Sequence, residues 1–236
     1  MKPLVIKNLH VEQVLNDVYC RRELDFYYLF EYCPAFNLFP NNPSNYIYLF
    51  KSRDPGRKNE KKQIIRAFAK CLSDVLGYNN ITLIPMPTSR PNNYYEDYKI
   101  TDKRLVNLCY QTIYYHKKKV RKLNKDIICN TFNIFDVKKY IGQKSNGNKI
   151  NPKDLYANIK IKDDLIKNTI NKWHENIILI DDVITSGTNF RLCKMRLERY
   201  LQKKQKEKSF RIIGVFLGKT THLKNNINGF KNWYNI

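Results

Sequence analysis

The densest set of chemistry-bearing residues in the chain is the run Ile177-Ile178-Leu179-Ile180-Asp181-Asp182-Val183-Ile184-Thr185-Ser186-Gly187-Thr188. Four apolar residues lead into it as a buried strand does, and a helical period begins at Thr188. The run therefore reads as strand, turn and helix start, with the turn at the carboxyl end of the strand, where open α/β sheets bind ligands. Backbone N–H groups around Thr185 to Thr188 begin a helix and lack intrahelical partners. The positive end of the helix dipole adds to them, and together they suit a phosphate. Gly187 permits close backbone approach and an unusual φ. The hydroxyls of Thr185, Ser186 and Thr188 add donors. Asp181 and Asp182 would repel a phosphate but suit the vicinal hydroxyls of a ribose, or a magnesium ion attached to them. The same residues also fit an acidic turn that only caps a helix. A Walker phosphate loop is excluded, because no GK[ST] occurs in this run.

The pattern resembles, position by position, the phosphoribosyl pyrophosphate (PRPP) loop of type I phosphoribosyltransferases: apolar strand, two acidic residues, two apolar residues, then Thr-Ser-Gly-Thr. The resemblance implies a Rossmann-like parallel sheet flanked by helices, with a divergent N-terminal or hood region. It implies that Asp181 and Asp182 contact the ribose hydroxyls, that Val183 and Ile184 belong to the PRPP site, and that Thr185, Ser186, Gly187 and Thr188 hold its 5-phosphate. Magnesium is the implied cofactor, held by Asp181 and Asp182 or only through the ligand. Upstream, Leu83-Ile84-Pro85-Met86-Pro87-Thr88-Ser89-Arg90 resembles the PxP pyrophosphate loop of ComF-like members. Thr88 and Ser89 would take the diphosphate there, with Arg90 as a bidentate cation. Arg90 joins Asp181 and Asp182 in the implied catalytic set, although the segment also reads as a proline-stiffened surface turn. Val215 to Thr220 would follow the last strand as a tail loop, and a homodimer accords with the family.

The departures concern the acceptor half of the site. ComF-like proteins carry an N-terminal cysteine cluster for zinc and an RGFNQ-like segment. This chain has scattered cysteines and YEDYKITDKR. Thr185 stands where 6-oxopurine salvage enzymes place a catalytic Asp, which argues against that activity. The lysine-bearing loop of orotate-type enzymes has no evident counterpart.

Six cysteines, at 20, 33, 71, 109, 129 and 193, form no CxxC pair. Cys71, Cys109 and Cys193 fall in helix-like segments as buried free thiols do. A zinc site from His10, Cys20 and Cys33 matches no common zinc spacing. The run Tyr114-Tyr115-His116-Lys117-Lys118-Lys119-Val120-Arg121-Lys122 joins aromatics to cations. It fits base stacking with phosphate neutralisation, or a solvated helix end whose cations complement the dipole. Lys203, Lys204, Lys206 and Lys208 form a similar cluster.

These residues need elements to position them. Val11, Val14, Leu15 and Val18 have helical spacing, and an aromatic patch, Phe26 to Phe30, follows. Prolines 34, 40 and 43 mark a loop, and Tyr46 to Phe50 is a short strand candidate. A helical stripe runs from Glu60 to Leu76 and stops at Gly77. Ile81 to Ile84 is a buried strand candidate, and a helix is expected from Thr101 or Asp102 to about His116. Residues 127 to 135 read as a strand and 142 to 153 as a mobile polar loop. Asp163 to Trp173 is helical, Asn176 to Ile180 a strand, Thr188 to about Lys203 a helix, and Phe210 to Leu217 a closing strand. Alternating strands and helices imply an α/β fold, a parallel sheet covered on both sides. Residues 1–45 read as an N-terminal helical and aromatic extension or hood part, and 46–236 as the α/β domain.

At 42% hydrophobic and 27% charged, the 236 residues can form a folded core. No apolar run approaches the roughly 20 residues that span a bilayer, and the N-terminus lacks a secretory pattern, so no membrane partner and a cytoplasmic location are expected. The net charge of +22 favours polyanions: nucleic acid, an acidic membrane surface or phosphorylated metabolites. Lys, Asn, Ile, Tyr and Phe share A/T-rich codons, so a biased genome would give the same excess. Two functions stay open. One is a PRPP-dependent phosphoribosyl transfer with pyrophosphate leaving. The other is a non-catalytic PRPP- or nucleotide-sensing or nucleic-acid-associated module, as in DNA uptake or phage defence.

Overall fold

Continuous apolar runs make the centre of the sheet, and runs of helical period make its covers. The computed structural model describes residues 10–13, 25–33, 43–52, 54–77, 79–87, 103–123, 126–139, 151–205 and 208–220. In chain order the elements are β1 (His10–Gln13), β2 (Asp25–Tyr32), α1 (Pro43–Lys51), α2 (Lys58–Val75), β3 (Ile81–Pro85), α3 (Arg104–Arg121), β4 (Cys129–Thr131), β5 (Phe135–Val137), α4 (Pro152–Asn158), β6 (Ile159–Ile161), α5 (Asp163–Thr169), β7 (Asn176–Ile184), α6 (Thr188–Lys204) and β8 (Arg211–Thr220). The main sheet has the order β1-β2-β8-β7-β3-β4. Five of its strands, β2, β8, β7, β3 and β4, run parallel, and β1 adds an antiparallel edge. A separate antiparallel pair joins β5 to β6.

A parallel sheet must be covered on both faces, and alternation along β7 divides the two cores. Ile178 and Ile180 pack with Ile47 and Phe50 of α1, Ile64 and Phe68 of α2, and Leu105 and Leu108 of α3. Ile177 and Leu179 pack with Phe190, Cys193 and Leu197 of α6, Ile166 of α5, and Phe135 and Ile159 of the small sheet. The helical stripe expected over 60–76 is α2, with Phe68 wholly buried between the rings of Phe30 (5.8 Å) and Phe50 (5.9 Å).

Several expectations need correction. Tyr46 to Phe50 is helical, because the buried residues are Ser44, Ile47 and Phe50, a spacing of three that a strand would split between its faces. The aromatic patch at 26–30 is β2, a strand of the main sheet paired with β8, so the α/β unit takes in residues well before Tyr46. Residues 10–13 are strand rather than helix, and Val14, Leu15 and Val18 lie outside the described residues. The strand expected at 127–135 splits into β4 and the start of β5, which belong to different sheets. α3 begins at Arg104 and continues past His116 to Arg121, so most of the basic run is helical. Val215 to Thr220 is not a tail loop but the second half of β8. The loop expected at 142–153 lies outside the described residues up to 150. From Asn151, whose Oδ1 accepts the Lys153 N–H at 2.9 Å, the chain turns into α4.

Candidate functional site

Strand order fixes where a ligand can sit. From β3 the chain crosses outward to β4, then returns to β7 on the other side of β3 and continues outward to β8. The order reverses between β3 and β7, and the crevice beyond the carboxyl ends of two such strands is where doubly wound sheets bind ligands. Pro85 is in register with Ile180, and the Met86 N–H donates to the Ile180 carbonyl at 2.8 Å. The chain therefore leaves β3 directly beside Asp181. Thr88, Ser89 and Arg90 follow Pro87 but lie outside the described residues.

β7 runs through Ile184, so Asp181, Asp182 and Val183 are strand residues, and only Thr185, Ser186 and Gly187 form the turn. Gly187 adopts φ +70°, the left-handed region that costs a side-chain-bearing residue energy, and it caps α6 with no side-chain hydrogen bond to that helix end. Thr185 and Ser186 are exposed, Thr188 is half-buried, and the Ser186 and Thr188 hydroxyls lie 2.9 Å apart. These hydroxyls and the first amides of α6 make a short polar cradle with a positive dipole end behind it. A Gly-Lys-Thr triplet does occur elsewhere in the chain, at Gly218-Lys219-Thr220, but it is extended inside β8 and forms no phosphate loop.

The two carboxylates are not equivalent. Asp182 Oδ1 receives Lys51 Nζ at 3.3 Å. Asp181 accepts the Asp182 N–H at 2.8 Å and lies near Cys193 of α6. Burial and the neighbouring Asp182 charge raise its carboxyl to about 7, against the opposing pull of Lys51 and Arg104. The pair thus shares its negative charge unevenly, a proton on Asp181 competing with any cation brought to the site.

Sequence reasoning missed two of the cations here. Lys51 ends α1 and Arg104 starts α3, and no motif marks either. The fold joins them by stacking the Arg104 guanidinium on the Phe50 ring, 5.6 Å to the centroid, with a donation to the Phe50 carbonyl at 3.4 Å. Lys51 thereby reaches Asp182, and the Arg104 charge acts on Asp181.

Of the described cysteines, Cys33, Cys109, Cys129 and Cys193 are buried as apolar residues are, whereas Cys71, expected to be buried, is half-buried on α2. Burial pushes the thiols of Cys109 and Cys129 up to about 12 and that of Cys71 up to about 11. Of the suggested zinc ligands, Cys20 lies outside the described residues, and no group of three metal-ligating side chains occurs among the described residues. A cleft of about 240 Å³ opens at the opposite, amino end of β7 and β8, beside Asn176 and Arg211, remote from the acid pair. No described helix is long and apolar enough to cross a membrane. Compared with protein-family models and with curated proteins, the chain matches none.

Proposed function

We propose that the chain binds PRPP, or a related ribose 5-phosphate, together with magnesium, on a phosphoribosyltransferase-type sheet, and transfers the phosphoribosyl group with pyrophosphate leaving. The observation that carries this reading is the position of Asp181-Asp182 and the Thr185–Thr188 turn at the switch point between β3 and β7. In this reading Thr185 to Thr188 hold the 5-phosphate, and Asp182 with Asp181 accepts from the ribose hydroxyls. The diphosphate lies toward the segment after Pro87, where Arg90 follows, with Lys51 and Arg104 as further positive charge.

The donor set fits magnesium carried by the ligand. That ion keeps several waters and takes one or two carboxylates plus substrate phosphates, and the described residues offer two adjacent carboxylates rather than a closed cage. Bound there, magnesium would supply positive charge to the diphosphate oxygens. In the transfer, the C1–O bond to the diphosphate breaks with its electron pair leaving on pyrophosphate. A nitrogen nucleophile, or water, supplies the pair for the new C1 bond. The protein's part is electrostatic: cations for the departing charge, and carboxylates near the oxocarbenium-like C1.

Thermal unfolding with PRPP and magnesium tests the site. At a hundred times its dissociation constant a ligand adds about 2.7 kcal/mol of stability. Asp182→Asn should fold and lose that gain, and a full PRPP-dependent shift in this variant would refute the assignment. Pyrophosphate release across a nucleobase panel tests the transfer itself, and binding without release in that panel would identify a sensing module instead.

A further inference from the structure

The outward side of α3 has a composition that its role in the core does not require. Its buried stripe is Leu105, Leu108, Cys109, Thr112, Ile113, His116 and Val120. Lys103, Asn107, Tyr110, Tyr114, Lys117, Lys118 and Arg121 are all exposed. At 3.6 residues per turn these fall within an arc of about 100° over a length of about 27 Å. The stripe reads cation, amide, two aromatics and three cations, and the sequence from Lys103 to Arg121 contains no Asp or Glu. Tyr110 and Tyr114 are 60% and 57% exposed, beyond the intermediate burial usual for tyrosine. The Tyr114 ring is held edge-on by Tyr115 at 5.3 Å. Lys119 points elsewhere, to the Ser73 carbonyl at 2.7 Å and Asp74 at 3.7 Å.

We propose that this face of α3 is a docking surface for single-stranded nucleic acid, with Tyr110 and Tyr114 as stacking platforms and Lys103, Lys117, Lys118 and Arg121 as phosphate contacts. An acidic polypeptide would use the cations but has no need of two exposed rings one turn apart. Unpaired bases offer π faces to both rings, and their backbone offers charges to both ends of the stripe. The proposal is independent of the phosphate turn at 185–188, which lies on another element.

Fluorescence anisotropy of the full chain with a labelled oligothymidylate at two salt concentrations tests it. Four neutralised phosphates give a slope of log K against log salt near −3, at about −0.7 each, and Lys117→Ser with Lys118→Ser should reduce its magnitude by about 1.4. Tyr110→Ala and Tyr114→Ala should each weaken binding by about 5- to 150-fold, from a stacking contribution of roughly 1–3 kcal/mol per base. Tyr→Phe at both positions should restore it. All four positions are exposed, so melting temperatures should not move. No salt-sensitive complex, binding indifferent to the tyrosine changes, or equal competition by polyglutamate would overturn the proposal.

Discussion

Asp181 lies in β7 between the Asp182 charge and the apolar layer under α6, and its carboxyl is raised to about 7. A carboxyl held above its unfolded value binds protons more tightly in the folded state, so folding loses stability as pH rises from near 4 to near 7. Asp181→Asn keeps the acceptor for the Asp182 N–H and removes the charge. It should stabilise the protein by about 1–4 kcal/mol at pH 8 and hardly at all near pH 4, measured by urea unfolding at both values. Ligand binding should run in the opposite direction: magnesium-dependent PRPP affinity should fall as pH drops through about 7, because the proton competes for the same carboxylate. Titration calorimetry between pH 6 and 8 checks this. At Gly187 a Cβ would meet only Ile184 at an ordinary 3.6 Å, so Gly187→Ala is opposed by its φ alone, at about 1–2 kcal/mol. These residues were legible in the sequence because chemistry and spacing coincide in one contiguous run. Lys51 and Arg104 were not, since the residues they serve stand over a hundred and over seventy positions away, and only packing brings the two cations together.

Two glycines in β8 set how closely the helices approach the sheet. A Cβ on Gly218 would lie 2.5 Å from Ile47 Cδ1 of α1 and 3.0 Å from Tyr32 Cβ. One on Gly214 would meet the Phe216 and Phe190 rings at 2.7 and 2.8 Å. Gly218→Ala should destabilise by about 1–3 kcal/mol through overpacking. It should also push α1 outward, moving Lys51 off Asp182 and so weakening PRPP binding beyond the stability change, as titration of the folded variant would show. The elements whose period was pure were legible: α2, α6, β3 and the start of β7 follow their apolar pattern closely. The α1 segment also fits a strand pattern, because Tyr46, Tyr48 and Phe50 alternate with residues that are also apolar, so two periods fit one short segment. The apolar pattern of β7 stops at Ile180, and polar residues normally end a buried strand. Here Asp181 and Asp182 continue the ladder along β8, Asp181 opposite Phe216 and Val183 opposite Gly218. β2 is hidden in the sequence because its partner, β8, lies far along the chain, Phe26 pairing with Gly214.

Over the whole molecule, 43 Lys and Arg face 21 Asp and Glu, a net charge of +22 on 236 residues. A compact state concentrates that charge and repels itself, which lowers stability relative to the expanded chain. The ion pairs beyond the acid site, such as Arg57 to Asp54 and Lys167 to Asp164, are largely exposed, and pairs of that kind contribute little. Screening long-range repulsion should therefore outweigh the loss of those contacts. Raising sodium chloride from about 20 to 300 mM shortens the Debye length from roughly 20 Å to under 10 Å, and the melting temperature should rise, contrary to a protein held by surface ion pairs. The same salt should weaken any polyanion complex, so stability and nucleic-acid affinity should move in opposite directions along one titration. A melting temperature that falls over this range would mean that local pairing, rather than net repulsion, governs the charge balance of the fold.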